Sequence, residues 1–151
     1  MSYPVRRISL TLIVMIFVLP AILAACKGQT VSNSDNALAM APMAGMPAEV
    51  KAAPTTVQQA YQFAVANPEV MKQIPCYCGC GKIGHTSSYS CYVQEVDDKG
   101  TITYDTHALG CSICVDITLD TMRLLKQGKT VAEIKTFVDQ TYSQYGPSNI
   151  P

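Results

Sequence analysis

The 151-residue sequence has few charged residues, no excess of either charge and no tryptophan. Charged residues make up 15% of the chain, against about 25% in an average soluble protein. Eleven lysines and arginines balance eleven aspartates and glutamates. This balance excludes the basic surface that nucleic-acid-binding proteins present, so we expect no nucleic-acid partner.

The motifs of several enzyme classes are also missing. The sequence contains no phosphate-binding glycine loop, no paired-carboxylate site and no nucleophile supported by histidine and aspartate. Val115 follows the pair Cys111 and Cys114 where c-type haem attachment needs a histidine. A thiol redox role for this pair stays open, although the strand–helix alternation of thioredoxin-like proteins is missing. We therefore expect a protein that is not an enzyme.

The long apolar run at residues 10–25 has sixteen residues, whereas a membrane-spanning helix needs about 20. It follows Arg6 and Arg7 and ends in the sequence LAAC, whose last residue is Cys26. This order is typical of a bacterial lipoprotein, so we expect residues 1–25 to be a signal peptide and Cys26 to be lipidated. An uncleaved anchor with an incidental cysteine is the alternative. Both interpretations place the protein in the cell envelope, attached to a membrane on its extracytoplasmic side.

Residues 26–53 are small, polar and rich in proline, without a period of 2 or 3.6 residues. This composition predicts a flexible tether. Met40, Met43 and Met46 lie three residues apart in this segment. Because thioethers are soft ligands for Cu(I), they form a possible accessory copper site, although an ordinary linker explains them as well.

Residues 54–151 predict a small, mainly α domain built around a cysteine-rich loop. Capping-box sequences at 56–59 and 130–133 predict the starts of two helices. Apolar spacing predicts another helix over 116–127, which Gly128 ends, and Asn67 followed by Pro68 predicts the start of a short one. Residues 92–104 are compatible with a short β-hairpin. A core of this size is marginal alone, so a metal ion or disulfides would stabilise it.

Residues 76–114 hold six of the seven cysteines and both histidines. These candidate ligands are Cys76, Cys78, Cys80, His85, Cys91, His107, Cys111 and Cys114. Outside the cytoplasm, three disulfides are the default for six cysteines. Three cysteines at alternate positions cannot readily pair with one another, whereas Gly79 and Gly81 permit positive φ angles that let several sulfurs converge. Three arrangements are compatible with six cysteines and two histidines: three disulfides, a metal site, or one disulfide beside a four-ligand metal site.

Soft thiolates select Cu(I), zinc or iron–sulfur clusters. One zinc ion takes four ligands, and the candidate set exceeds that number. We therefore favour copper(I) bound in a cluster, with zinc as the alternative. Asp105 lies two residues before His107 and is a candidate to orient its ring.

The sequence resembles the PCYCGC-motif bacterial lipoprotein family over residues 54–151. The hexapeptide occupies 75–80, Asn-Pro-Glu precedes it at 67–69, and Tyr-Gly-Pro closes the domain at 145–147. The eight candidate ligands fall at positions that match the family's pattern. The resemblance supports the lipidation of Cys26 but implies little about activity, because the family is defined by its motif.

Taken together, these features predict a membrane-anchored, extracytoplasmic thiolate protein that binds a soft metal such as Cu(I) for storage, delivery or protection. Its expected partners are the membrane, through the lipid anchor, and an envelope metal-handling protein. A disulfide-stapled interaction module of the envelope and a thiol or metal redox carrier are the alternatives.

Overall fold

The computed structural model describes residues 37–150, and it confirms the predicted mainly α class with a small hairpin. The helices are α1 (Ala48–Ala52), α2 (Thr55–Ala66), α3 (Pro68–Met71), α4 (Ser112–Lys126) and α5 (Val131–Tyr142), and the strands are β1 (Val93–Val96) and β2 (Ile102–Tyr104). Within this part of the chain, no helix combines the length and apolarity needed to cross a membrane. The predicted signal peptide and Cys26 lie outside the described residues.

The core forms where α4 packs against both α2 and α5. Helix α2 contributes Tyr61 and Phe63, α4 contributes Ile117, and α5 contributes Ile134 and Val138, all with 0% exposure. Burying a large apolar side chain of this kind contributes about 1.5–3 kcal/mol each. Helix α4 is therefore the central element, and it also carries a cysteine of the candidate site.

Helix α4 begins at Ser112, earlier than the predicted start at residue 116, and Cys111 is its N-cap. The additional first turn is stable because Cys114 shares one buried helix face with Ile117, Thr118 and Thr121. Cys114 is consequently held on a rigid helix instead of a turn.

Glycine ends α4, as the sequence predicts. Gly128 has a φ of 77°, and its N–H donates to the carbonyl of Leu125 at 2.9 Å. The N–H of Lys129 donates to the carbonyl of Leu124 at 3.0 Å. This pair of bonds is a Schellman motif, which needs a left-handed residue where glycine costs least.

The two predicted capping boxes have different outcomes. Thr130 and Glu133 cap α5 reciprocally, with the Glu133 N–H donating to Thr130 Oγ1 at 3.3 Å and the Thr130 N–H donating to Glu133 Oε2 at 2.8 Å. The box at 56–59 is wrong, because α2 has Pro54 as its N-cap, two residues before Thr56, and Pro54 makes no side-chain bond.

The chain folds onto the domain before residue 54, so the prediction of a tether over 26–53 is wrong for its second half. Met46 and Val50 are 3% and 2% exposed, and Ala41 and Gln62 exchange hydrogen bonds through the Ala41 N–H and carbonyl. A segment with too few apolar residues for its own core can still cover the apolar face of a neighbouring helix. Residues 26–36 lie outside the described part.

Strands β1 and β2 pair antiparallel, with Val93 opposite Tyr104. Beyond the strands, the N–H of Asp105 donates to the carbonyl of Tyr92 at 3.0 Å. The hairpin therefore brings the segment that follows Cys91 against the segment that precedes His107.

Candidate metal centre

The cysteine-rich loop turns sharply at two glycines. Gly79 and Gly84 have φ angles of 86° and 93°, on either side of the 3₁₀ segment Cys80–Ile83. The predicted left-handed conformation is present at Gly79 and absent at Gly81. Gly81 lies beside Asn149, where an added Cβ would sit at an ordinary contact distance of 3.4 Å from Cβ of Asn149.

Asn149 fixes this loop from the C-terminal end of the chain. Its Oδ1 accepts a hydrogen bond from the Cys76 N–H at 2.7 Å, and its own N–H donates to the Cys76 carbonyl at 3.1 Å. Its Nδ2 lies 3.5 Å from Sγ of Cys80. Sequence reasoning missed this residue, because a lone asparagine 73 positions away from Cys76 carries no pattern.

Five cysteine sulfurs form short contacts with one another. Sγ of Cys76 lies 3.4 Å from that of Cys78 and 3.6 Å from that of Cys114. The Cys78 and Cys114 sulfurs are 3.7 Å apart, as are those of Cys80 and Cys91. Within residues 37–150, all six cysteines are free of disulfide bonds. The motif loop, the 3₁₀ segment Ser88–Cys91 and α4 thus bring their sulfurs to one region.

Both histidines contact this cluster, each through a different cysteine. Nε2 of His107 lies 3.3 Å from Sγ of Cys78, and Nδ1 of His85 lies 3.5 Å from Sγ of Cys91. The two rings meet edge to face, with centroids 5.2 Å apart. The structure therefore gathers both histidines with the cysteines of the predicted ligand set.

Asp105 orients His85, not the ring of His107 as predicted. Its Oδ2 lies 3.3 Å from Nε2 of His85, and its Oδ1 accepts a hydrogen bond from the backbone N–H of His107 at 2.7 Å. The short sequence separation between Asp105 and His107 suggested that these two side chains would pair. Instead, the carboxylate of Asp105, just after β2, lies against the ring of His85. A carboxylate on the far nitrogen leaves Nδ1 of His85 directed at Cys91, an arrangement typical of metal-binding histidines.

The donor atoms fall into four overlapping groups, each with all its atoms within 4.8 Å of one another. The groups are Cys78, His107, Cys111 and Cys114; Cys76, Cys78 and Cys80; Cys76, Cys91 and Cys114; and Cys80, Cys91 and His107. Six cysteines and one histidine take part, and all except Cys111 belong to two groups. Shared ligands allow sulfurs to bridge neighbouring ions.

The spacing between donor atoms suits coordination to a common ion. Zinc–sulfur bonds of about 2.3 Å and zinc–nitrogen bonds of about 2.0 Å place tetrahedral sulfurs ~3.8 Å apart and a sulfur–nitrogen pair ~3.5 Å apart. The sulfur contacts of 3.4–3.7 Å and the Cys78–His107 contact of 3.3 Å are close to these values. Small movements of these side chains would therefore allow their sulfur and nitrogen atoms to coordinate one ion.

Contacts between the thiols and their burial shift the pKa values of different cysteines in opposite directions. Hydrogen bonds from Cys76 and Cys91 lower the pKa of Cys114 to about 6. The hydrogen bond with Cys114 raises the pKa of Cys91, and burial raises that of Cys78. Cys114 is thus more acidic than Cys91 and Cys78, and protonated thiols release their protons as an ion binds.

Two buried hydroxyl groups support the cluster from α4 and the hairpin. The Tyr92 hydroxyl donates to the Cys114 carbonyl at 2.8 Å and lies 2.7 Å from the Thr118 hydroxyl. Tyr61 packs edge to face on Tyr92, with centroids 4.9 Å apart. Tyr92 was not among the predicted site residues, because tyrosine in a possible strand is ordinary.

The three methionines of the predicted accessory site differ in exposure. Met46 is 3% exposed and belongs to the hydrophobic core, Met40 is 38% exposed, and Met43 is half-buried against the core. Core packing therefore explains Met46 without a metal. The accessory role of Met40 and Met43 stays a prediction.

In a comparison with known sequence families, residues 15–151 match the family described as "Protein of unknown function with PCYCGC motif". The chain belongs to this PCYCGC-motif family. No curated protein and no solved structure matched it. The family assignment agrees with the resemblance seen in the hexapeptide, and the family's description names no activity.

In this PCYCGC-motif protein, the motif has a clear structural role. Its three cysteines lie in one tight loop and form a donor group of their own, and Cys76 and Cys78 also contact Cys114 on α4. The cluster is positioned to bind a metal ion.

Proposed function

We propose that this protein is a membrane-anchored, extracytoplasmic binding protein for a soft metal ion, with Cu(I) as the favoured ion. It would store the ion, deliver it to another envelope protein, or protect the cell from it. The observation that supports this proposal is the overlap of the four donor groups, which contain six cysteines and a histidine and share all of these ligands except Cys111.

The number of donors in each group favours Cu(I) over zinc. The donors are sulfur and imidazole nitrogen, without a carboxylate in any of the four groups, and soft donors of this kind suit both Cu(I) and zinc. Three of the groups have three members, which suits trigonal Cu(I) with bridging thiolates. Zinc would fill the group of Cys78, His107, Cys111 and Cys114 and leave the others without an ion.

Membrane attachment rests on the order of charge, apolar run and LAAC at the N-terminus. The mechanism we propose is coordination, in which the folded loop offers preformed ligands and releases protons as the ion binds. No step of catalysis is required.

The test is metal binding by full-length protein purified without oxygen. We expect more than one Cu(I) per chain by elemental analysis, and preference for Cu(I) over zinc in competition. Cys78→Ser removes a member of two groups and should lower the copper content, whereas Ser112→Ala, an exposed neighbour of Cys111, should retain it. A protein that takes up no metal, with six cysteines oxidised, would contradict the proposal and support the disulfide-stapled module.

A further inference from the structure

We infer that this site has an outer and an inner ion position, and that ions enter and leave by thiol exchange at Cys111 in the outer one. The inference rests on the proposed metal binding and extends it to the route of transfer. The outer position is the group of Cys78, His107, Cys111 and Cys114.

The two positions differ in exposure. In the outer group, Cys78, His107 and Cys111 are half-buried, and Cys114 alone is buried. The inner position, made by Cys76, Cys91 and Cys114, has three buried donors. A solvent-borne ligand can therefore reach an ion in the outer position but not one in the inner position.

A cleft beside Cys111 gives the incoming ligand its approach. It has a volume of about 360 Å³, opens next to the N-terminus of α4, and is lined by residues that include Val57, Leu109, Cys111 and Val115. A larger cavity of about 410 Å³ lies beside the motif loop, but its lining includes Lys82, His85 and Asn149 and no cysteine. Only the first of these two cavities has a cysteine in its lining.

In the proposed exchange at Cys111, one copper–sulfur bond replaces another and no electron is transferred. The incoming ligand is a thiol, whose sulfur forms a bond to Cu(I) as the bond from Cu(I) to Sγ of Cys111 breaks. The proton lost by the incoming thiol is taken up by the released Cys111 thiolate, and copper stays Cu(I). Because Cys111 belongs to a single donor group whereas the other ligands of the outer position belong to two, its release disturbs the cluster least.

Shared ligands connect the outer position to the inner donors. Cys114 belongs to the outer group and to the group of Cys76 and Cys91, and His107 belongs to the outer group and to the group of Cys80 and Cys91. An ion can therefore move from the outer to the inner position while it stays bound to one shared ligand. The outer position can then receive the next ion.

The experiment follows Cu(I) release from copper-loaded full-length protein to a chromogenic chelator, with and without N-acetylcysteine. We expect a fast phase that the thiol accelerates and a slow phase that it does not. Cys111→Ser should remove the fast phase, and Cys91→Ser should remove the slow phase. Ser143→Ala, at an exposed residue just after α5, should retain both. Circular dichroism checks that each variant is folded.

Two kinds of failure are distinguishable. If the wild-type protein binds no copper, the proposed function fails. If it binds copper and releases it in a single phase, or if Cys111→Ser retains the thiol-accelerated phase, the proposed function stands and the exchange route is wrong. Alkylation of the metal-free protein adds an independent readout, since Cys111 should react well before Cys91.

Discussion

At the scale of single residues, Asn149 shows how a side chain outside the ligand set can hold the motif loop. It pairs the N–H and carbonyl of Cys76 and approaches the sulfur of Cys80. Removing the amide in Asn149→Ala leaves the Cys76 N–H without its acceptor, at a cost of about 1–3 kcal/mol in stability. Loss of such a supporting group typically lowers metal affinity about 10–100-fold. We expect both effects, measured by urea unfolding and by competition with a Cu(I) chelator.

The matched control for this variant is Gln144→Ala. Gln144 is exposed on the C-terminal segment, and its side chain bonds locally to the carbonyl of Thr141. Its removal should leave copper affinity unchanged. Equal losses in the two variants would show that the C-terminal segment acts as a whole and that Asn149 has no particular role.

At the scale of secondary-structure elements, the capping box of α5 should make its stability depend on pH in the acid range. Hydrogen bonds from the Thr130 backbone and from Lys129 and Thr130 side chains lower the pKa of Glu133 to about 2. A lowered pKa stabilises the folded state above the unfolded value of about 4.3, and this contribution disappears as pH falls through about 2. The stability difference between wild type and Glu133→Gln should therefore be largest above pH 5 and shrink towards pH 2, by urea unfolding. Gln144→Ala, which removes no ionisable group, should show no such trend.

The elements also show which parts of the fold the sequence could predict. The neighbouring residues alone were sufficient to predict the capping box at Thr130 and the end of α4 at Gly128, since each motif is formed by residues close in sequence. It failed for the start of α4, where the face shared by Cys114 and Ile117 stabilises the first turn through packing. It failed for Met46 and Val50, because their burial depends on α2 and not on their own segment. In the site, the ligand types were predictable, but the pairing of Asp105 with His85 depends on the hairpin.

At the scale of the whole molecule, the donor cluster joins parts of the chain that are distant in sequence. The motif loop, the end of the hairpin and the first turn of α4 meet there through Cys76, His107 and Cys114. An ion that binds only when these parts are assembled stabilises the fold, by about 4 kcal/mol when the free ion is a thousand times its Kd. For a domain of this size, that energy corresponds to a rise in Tm on the order of 10 °C or more.

We therefore expect the Tm of reduced full-length protein to rise with added Cu(I), to keep rising with the free-ion concentration, and to fall again when a chelator removes the ion. Scanning calorimetry under argon measures this. If disulfides hold the domain together, the Tm should depend on the reductant and not on the ion. A chelator would then leave the Tm unchanged, and a reductant would lower it. The two explanations differ because an ion stabilises by mass action, whereas a disulfide constrains the unfolded chain whatever the ion concentration. A Tm that responds to reductant and not to Cu(I) would show that covalent bonds, not coordination, hold the motif loop to α4.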